Sequence, residues 1–130
     1  MSFSSQLEIL LVDDNELHRE LISRMLHHVG YSADIVTNGV EALEALESKE
    51  YQLILMDLAM PHLDGFDTTR TIRSNEGESN PYIIAITALN LDTPKETIKE
   101  AGMDDVLLKP VLLNDFRAAL NRYRENRIAA

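Results

Sequence analysis

The amino-acid sequence predicts an α/β protein, a doubly wound parallel five-stranded sheet built from five βα units. Short apolar runs rich in Ile, Leu and Val alternate with longer stretches of helical pattern, the order in which βαβ units are laid down. Turn-forming residues punctuate the series, and no internal repeat or low-complexity segment interrupts it.

The strands are expected at residues 8–12, 33–36, 53–56, 82–87 and 105–108, each followed by a helix. The first, third and fourth runs are apolar throughout, which suits strands buried on both faces. After the first run, Leu17, Leu21, Ile22, Met25, Leu26 and Val29 cover roughly half a helix circumference, wider than the stripe of about 100° that core contact requires. One edge of that helix is therefore expected to stay exposed, with Leu17 on it. Gly30 and Tyr31 close this helix, and Asn80-Pro81 breaks the chain before the fourth strand. Thr93 can cap the free N–H groups of the fourth helix, Pro94 loses no hydrogen bond at its first position, and Gly102 ends it.

At 130 residues the chain has the size of one domain. That domain is expected over residues 7–126, with 1–6 a polar linker and 127–130 a tail. A 45% hydrophobic and 26% charged composition separates it from disordered and fibrous chains. The net charge of −10 argues against nucleic-acid binding by this domain, because phosphate backbones are held mainly by Lys and Arg. Without cysteine there is no disulfide framework or thiol chemistry, which fits a cytoplasmic protein. Residues 1–6 have neither the basic start nor the apolar run of a signal peptide or anchor, so no direct membrane contact is expected.

In an open α/β sheet, side chains just beyond the carboxyl ends of the strands converge on one crevice. Those positions hold Asp13 and Asp14 after the first strand, Asp57 after the third, Thr87 at the end of the fourth and Lys109 after the fifth. An Asp pair ahead of a helix is by itself most simply a cap. Capping does not explain Asp57, which follows the apolar run Leu53-Ile54-Leu55-Met56 in the middle of the sheet. Two carboxylates about 4 Å apart repel by roughly 4 kcal/mol at an effective dielectric near 20, so a compensating cation is required. Lys109 and a divalent ion would supply it. Mg²⁺ suits an all-oxygen site with few protein ligands, and a carboxylate left free there can attack phosphorus to form an acyl phosphate.

Four segments together, Leu11-Val12-Asp13-Asp14-Asn15, Met56-Asp57-Leu58-Ala59-Met60-Pro61-His62-Leu63-Asp64-Gly65, Ile86-Thr87-Ala88 and Leu107-Leu108-Lys109-Pro110, resemble the response-regulator receiver family over nearly the whole chain. The resemblance implies a flavodoxin-like strand order of 2-1-3-4-5 and a two-component or phosphorelay function. It implies Asp57 as phosphoacceptor, Asp14 as direct Mg²⁺ ligand, Asp13 as ligand through water and the Ala59 carbonyl as backbone ligand. Thr87 and Lys109 would contact the phosphoryl group, and a cis Lys109–Pro110 bond would aim the lysine inward. The donor would be a histidine kinase or histidine phosphotransfer domain, whose helix docks near Leu17; a broad core stripe is the alternative explanation of that residue.

Met56 to Gly65, with Gly102-Met103-Asp104-Asp105 later, is worded like receivers fused to hybrid sensor histidine kinases. The isolated chain is then expected to catalyse only its own phosphorylation and dephosphorylation, while a parent hybrid protein would be the kinase. Ala59 and Leu89 lie where family members position water, and neither can orient it, so slow loss of the phosphoryl group is expected. Val106 stands where an aromatic residue is common in the family.

Three other functions fit less well. An aspartate-dependent phosphohydrolase usually carries Asp-x-Asp after the first strand, and a flavodoxin-like carrier needs a donor-rich phosphate loop where this chain is acidic. A phosphorylation-independent module would be expected to lack part of the site. His18, His27, His28 and His62 lack metal-ligand spacing, His27 and His28 suiting a helix C-terminus, and Arg117, Arg122, Arg124 and Arg127 read as a solvated helix face.

Overall fold

The computed structural model describes residues 7–58, 65–75, 80–88 and 95–129. Five strands and five helices alternate: β1 (Ile9–Val12), α1 (Glu16–His28), β2 (Asp34–Val36), α2 (Gly39–Ser48), β3 (Leu53–Asp57), α3 (Gly65–Asn75), β4 (Tyr82–Ala88), α4 (Lys95–Ala101), β5 (Asp105–Lys109) and α5 (Leu113–Ala129). All strand pairs are parallel, in the order β2-β1-β3-β4-β5.

Every expected strand is present. β3, β4 and β5 each run one residue further than the apolar runs suggest, because Asp57 pairs with Ile86 and Lys109 with Ala88 in the ladder. The polar ends are therefore held by sheet hydrogen bonds rather than left in loops. The Asp13 N–H likewise extends the first ladder, donating to the Val36 carbonyl at 3.1 Å.

Alternation along the strands splits the core in two. Ile9, Leu11, Leu53, Leu55, Ile84, Ile86 and Leu107 pack with Ile22 and Leu26 of α1 and with Phe116 and Leu120 of α5. On the other face Leu10, Val12, Ile54, Met56, Ile83 and Ala85 meet Ala42 of α2, Ile72 of α3 and Ile98 of α4. Each fully buried Leu, Ile or Phe contributes about 1.5–3 kcal/mol of transfer free energy.

The glycine stops work as the sequence indicates. Gly30 has φ +96° and donates to the His27 carbonyl while Tyr31 N–H reaches back to Leu26, the paired bonds of a Schellman cap. Gly102, at φ +109°, repeats the pattern with Lys99 and Ile98. The Thr93-Pro94 helix start lies outside the described residues, as do Ala59, Leu89 and His62.

Candidate functional site

Asp13 caps the end of β1 and is fully buried, Asp14 beside it is exposed, and Asp57 closes β3 with 1% of its surface accessible. Carboxylate oxygens from these three residues lie within 4.8 Å of one another. Lys109 Nζ, reaching from the end of β5, donates to Asp57 Oδ1 at 3.1 Å. Thr87 is buried on β4, one residue beyond the Ile86 that pairs with Asp57. The Lys109–Pro110 peptide bond is cis. Asp13, Asp14, Asp57, Thr87 and Lys109 thus share the carboxyl edge of the sheet, while the Ala59 position falls outside the described residues.

Asp13 is tied on both oxygens. Oδ1 accepts the Asn15 N–H at 2.9 Å, and Oδ2 faces Nδ1 of His18 within hydrogen-bond contact. Burial pushes its pKa up and is the largest single influence. The His18 and Asn15 hydrogen bonds, with the charges of His18 and Lys109, together outweigh burial and hold the carboxyl below its ordinary value. The cluster is therefore built to keep anionic oxygens close together in a partly dry place. Such an all-carboxylate donor set, with one exposed member, fits a hard divalent cation that retains water ligands.

Three features were not evident from spacing. His18 joins the site because Asn15 caps α1, its side chain accepting the His18 N–H at 2.9 Å, which makes His18 the third helical residue. Side chains at that position reach back toward the residues before the helix, as in a capping box, and this is the signal that could have found it. Gly65 presses on the end of β3: a Cβ there would lie 2.7 Å from the Asp57 carbonyl oxygen and 2.8 Å from Leu58 Cδ2. The arginine face of α5 is also not purely solvated. Arg122 holds Asp105 with bonds of 2.6 and 3.2 Å, and Arg124 donates to the Tyr31 hydroxyl at 2.7 Å, since α5 crosses behind β5 and beside the α1 terminus.

The family profile described as the response regulator receiver domain matches residues 9–121. The chain belongs to the receiver domain family. Hybrid signal transduction histidine kinase G of Dictyostelium discoideum is 37% identical over 92% of this receiver domain, which spans 4% of that protein. Among solved structures, the receiver domain of sensor histidine kinase PA1611 from Pseudomonas aeruginosa, with magnesium in its active-site cleft, is 39% identical. It has a TM-score of 0.81, covering 90% of this chain and 96% of that one. The Saccharomyces cerevisiae receiver domain of Ssk1, in complex with the histidine phosphotransfer protein Ypd1, is 26% identical with a TM-score of 0.80 over 92% of this chain and 89% of that one. Receiver domains of this family work in two-component and phosphorelay signalling, and no helix among the described residues is long and apolar enough to cross a membrane.

Proposed function

We propose that this receiver domain takes a phosphoryl group from a phosphohistidine donor onto Asp57. The observation that carries the reading is a buried carboxylate at the end of the central strand, bonded to Lys109 at 3.1 Å and set within 4.8 Å of the Asp13 and Asp14 carboxylates. An Asp57 oxygen attacks phosphorus, the P–N bond breaks, and the donor imidazole leaves with the electron pair and is reprotonated from solvent. The product is an acyl phosphate on Asp57.

Asp57 is the nucleophile in this reading because it ends the central strand against Lys109, whereas Asp13 is held by Asn15 and His18 and Asp14 stands at the exposed rim. Asp13, Asp14 and Asp57, with the Ala59 carbonyl, would hold Mg²⁺, which when bound neutralises oxygens of the transferring group. Lys109 shifts its hydrogen bond from the carboxylate to a phosphoryl oxygen, and the Thr87 hydroxyl donates to another. Partner choice is supported by the exposed edge of α1, where Leu17 is 79% accessible, and by Leu112 at 59% beside the Lys109–Pro110 turn. These apolar side chains flank the acidic site and suit a helical histidine-bearing domain, and the kinship with hybrid kinases makes a relay within a larger protein the best context.

Incubation with Mg²⁺ and acetyl phosphate tests the reading by intact mass. Addition of one phosphoryl group, abolished by Asp57→Asn, is expected, whereas labelling that survives this substitution overturns it. Mg²⁺ relieves carboxylate repulsion in the folded state alone, so it should also raise the melting temperature. Steady hydrolysis of a generic phosphate ester would point instead to a phosphohydrolase.

A further inference from the structure

We propose that His18 is a positioning residue, whose imidazole fixes the Asp13 carboxylate toward Asp14 and Asp57 and thereby sets the affinity of the cluster for Mg²⁺. This rests on the divalent-cation site proposed above. A free carboxylate at the end of a strand can rotate, and three such groups within 4.8 Å would turn away from one another. Asp13 is prevented from doing so by two donors on its two oxygens, the Asn15 N–H and His18 Nδ1. Its remaining lone pairs are left for the cation and its water. Arg19 completes the clamp through the main chain, donating to the Asp13 carbonyl at 3.1 Å.

The imidazole has no competing task. Its Nε2 is buried and has no hydrogen-bond partner among the described residues, so the ring's hydrogen bond there is the one that Nδ1 makes to Asp13. The ring is anchored in turn by the cap, because Asn15 holds the His18 N–H. Outer hydrogen-bond partners of this kind orient metal ligands, and their loss typically weakens metal binding about 10- to 100-fold.

Stereochemistry supplies the test. The side-chain amide nitrogen of Asn is as many bonds from Cα as His Nδ1, whereas that of Gln matches Nε2. Mg²⁺ titrations followed by amide chemical shifts therefore compare wild type with His18→Asn, His18→Gln and His18→Leu. Near wild-type affinity is expected for His18→Asn, with about 10-fold or greater weakening for His18→Gln and His18→Leu. Wild-type or tighter affinity in His18→Leu, or equal weakening of the Asn and Gln variants, overturns the positioning role while leaving the cation site standing. Absence of Mg²⁺ binding by the wild type overturns both. Asn and Gln differ by one methylene, so the contrast between them reads placement of the donor rather than general loss of packing.

Discussion

Lys109 Nζ sits 3.1 Å from Asp57 Oδ1, joining the ends of two strands that are separated in the sheet by β4. The Lys109 side chain is 28% exposed and that of Asp57 1%, so the pair is one-sided: its loss leaves the more deeply buried charge on Asp57. Lys109→Gln is expected to lower stability in Mg²⁺-free buffer by about 1–3 kcal/mol, the cost of leaving a buried acceptor short of its partner in a half-open site. The same substitution should cost less in an Asp57→Asn background, where the charge is gone. Urea unfolding of the four proteins measures the coupling, and equal costs in both backgrounds would disprove it.

Gly65→Ala is expected to disturb the site from behind. Its Cβ would meet backbone and side-chain atoms of Asp57 and Leu58 at 2.7 to 3.0 Å, so α3 must move away from the end of β3. Overpacking of this kind costs about 1–3 kcal/mol. Phosphorylation by acetyl phosphate should slow as well, because the displaced backbone carries the nucleophile. A variant as stable and as reactive as wild type would show that the contact is slack.

Leu17→Glu separates docking from chemistry. The side chain is 79% exposed and lies outside the carboxylate cluster, so its loss should leave the acetyl phosphate reaction intact. Transfer from a histidine phosphotransfer protein should slow by about an order of magnitude or more if Leu17 is an interface anchor, since truncating such anchors commonly costs more than 1 kcal/mol. Unchanged transfer would return Leu17 to an ordinary exposed apolar residue.

Asp34 and Tyr51 give the fold a pH signature far from the site. The Tyr51 hydroxyl donates to Asp34 Oδ2 at 2.6 Å and Lys49 Nζ to the same oxygen at 3.0 Å. The Tyr51 bond first and the Lys49 bond second hold the Asp34 carboxyl below its ordinary value. Burial first, and the Asp34 acceptor second, push the Tyr51 phenol up to about 12. The carboxylate's contribution to stability is present above its unfolded pKa of about 3.9 and fades as pH falls through the lower folded value. That of the phenol is present below about 10 and fades as pH rises toward 12. Tyr51→Phe should raise the Asp34 carboxyl midpoint in an NMR titration and remove the alkaline loss that belongs to this phenol. An unmoved midpoint would mean that Lys49 alone holds the carboxylate.

Val106 predicts a quiet output face. It lies on β5 three residues before Lys109 and is partly buried against the α2–α3–α4 core. A valine has one stiff χ1 and no ring to withdraw from the surface when Thr87 moves. Amide shifts on binding beryllofluoride should concentrate in the active-site loops, as suits a phosphoryl carrier. Large shifts along β5 and α5 would instead show a switch that spreads across that face.

The strand and helix order, the glycine stops and the exposed edge of α1 were legible in the sequence because each follows from local periodicity or backbone freedom. Asp13, Asp14, Asp57, Thr87 and Lys109 were legible for a related reason: a parallel sheet aligns strand ends, so polar residues just past apolar runs must converge. What the sequence could not decide were contacts set by how elements pack against each other. The reach of His18 back to Asp13, the Gly65 backbone pressed on Asp57, and the ties from Arg122 to Asp105 and Arg124 to Tyr31 depend on cap geometry, helix placement and rotamers. Spacing along a chain carries the first kind of information, whereas side-chain direction across elements exists only once the sheet has twisted and the helices have docked.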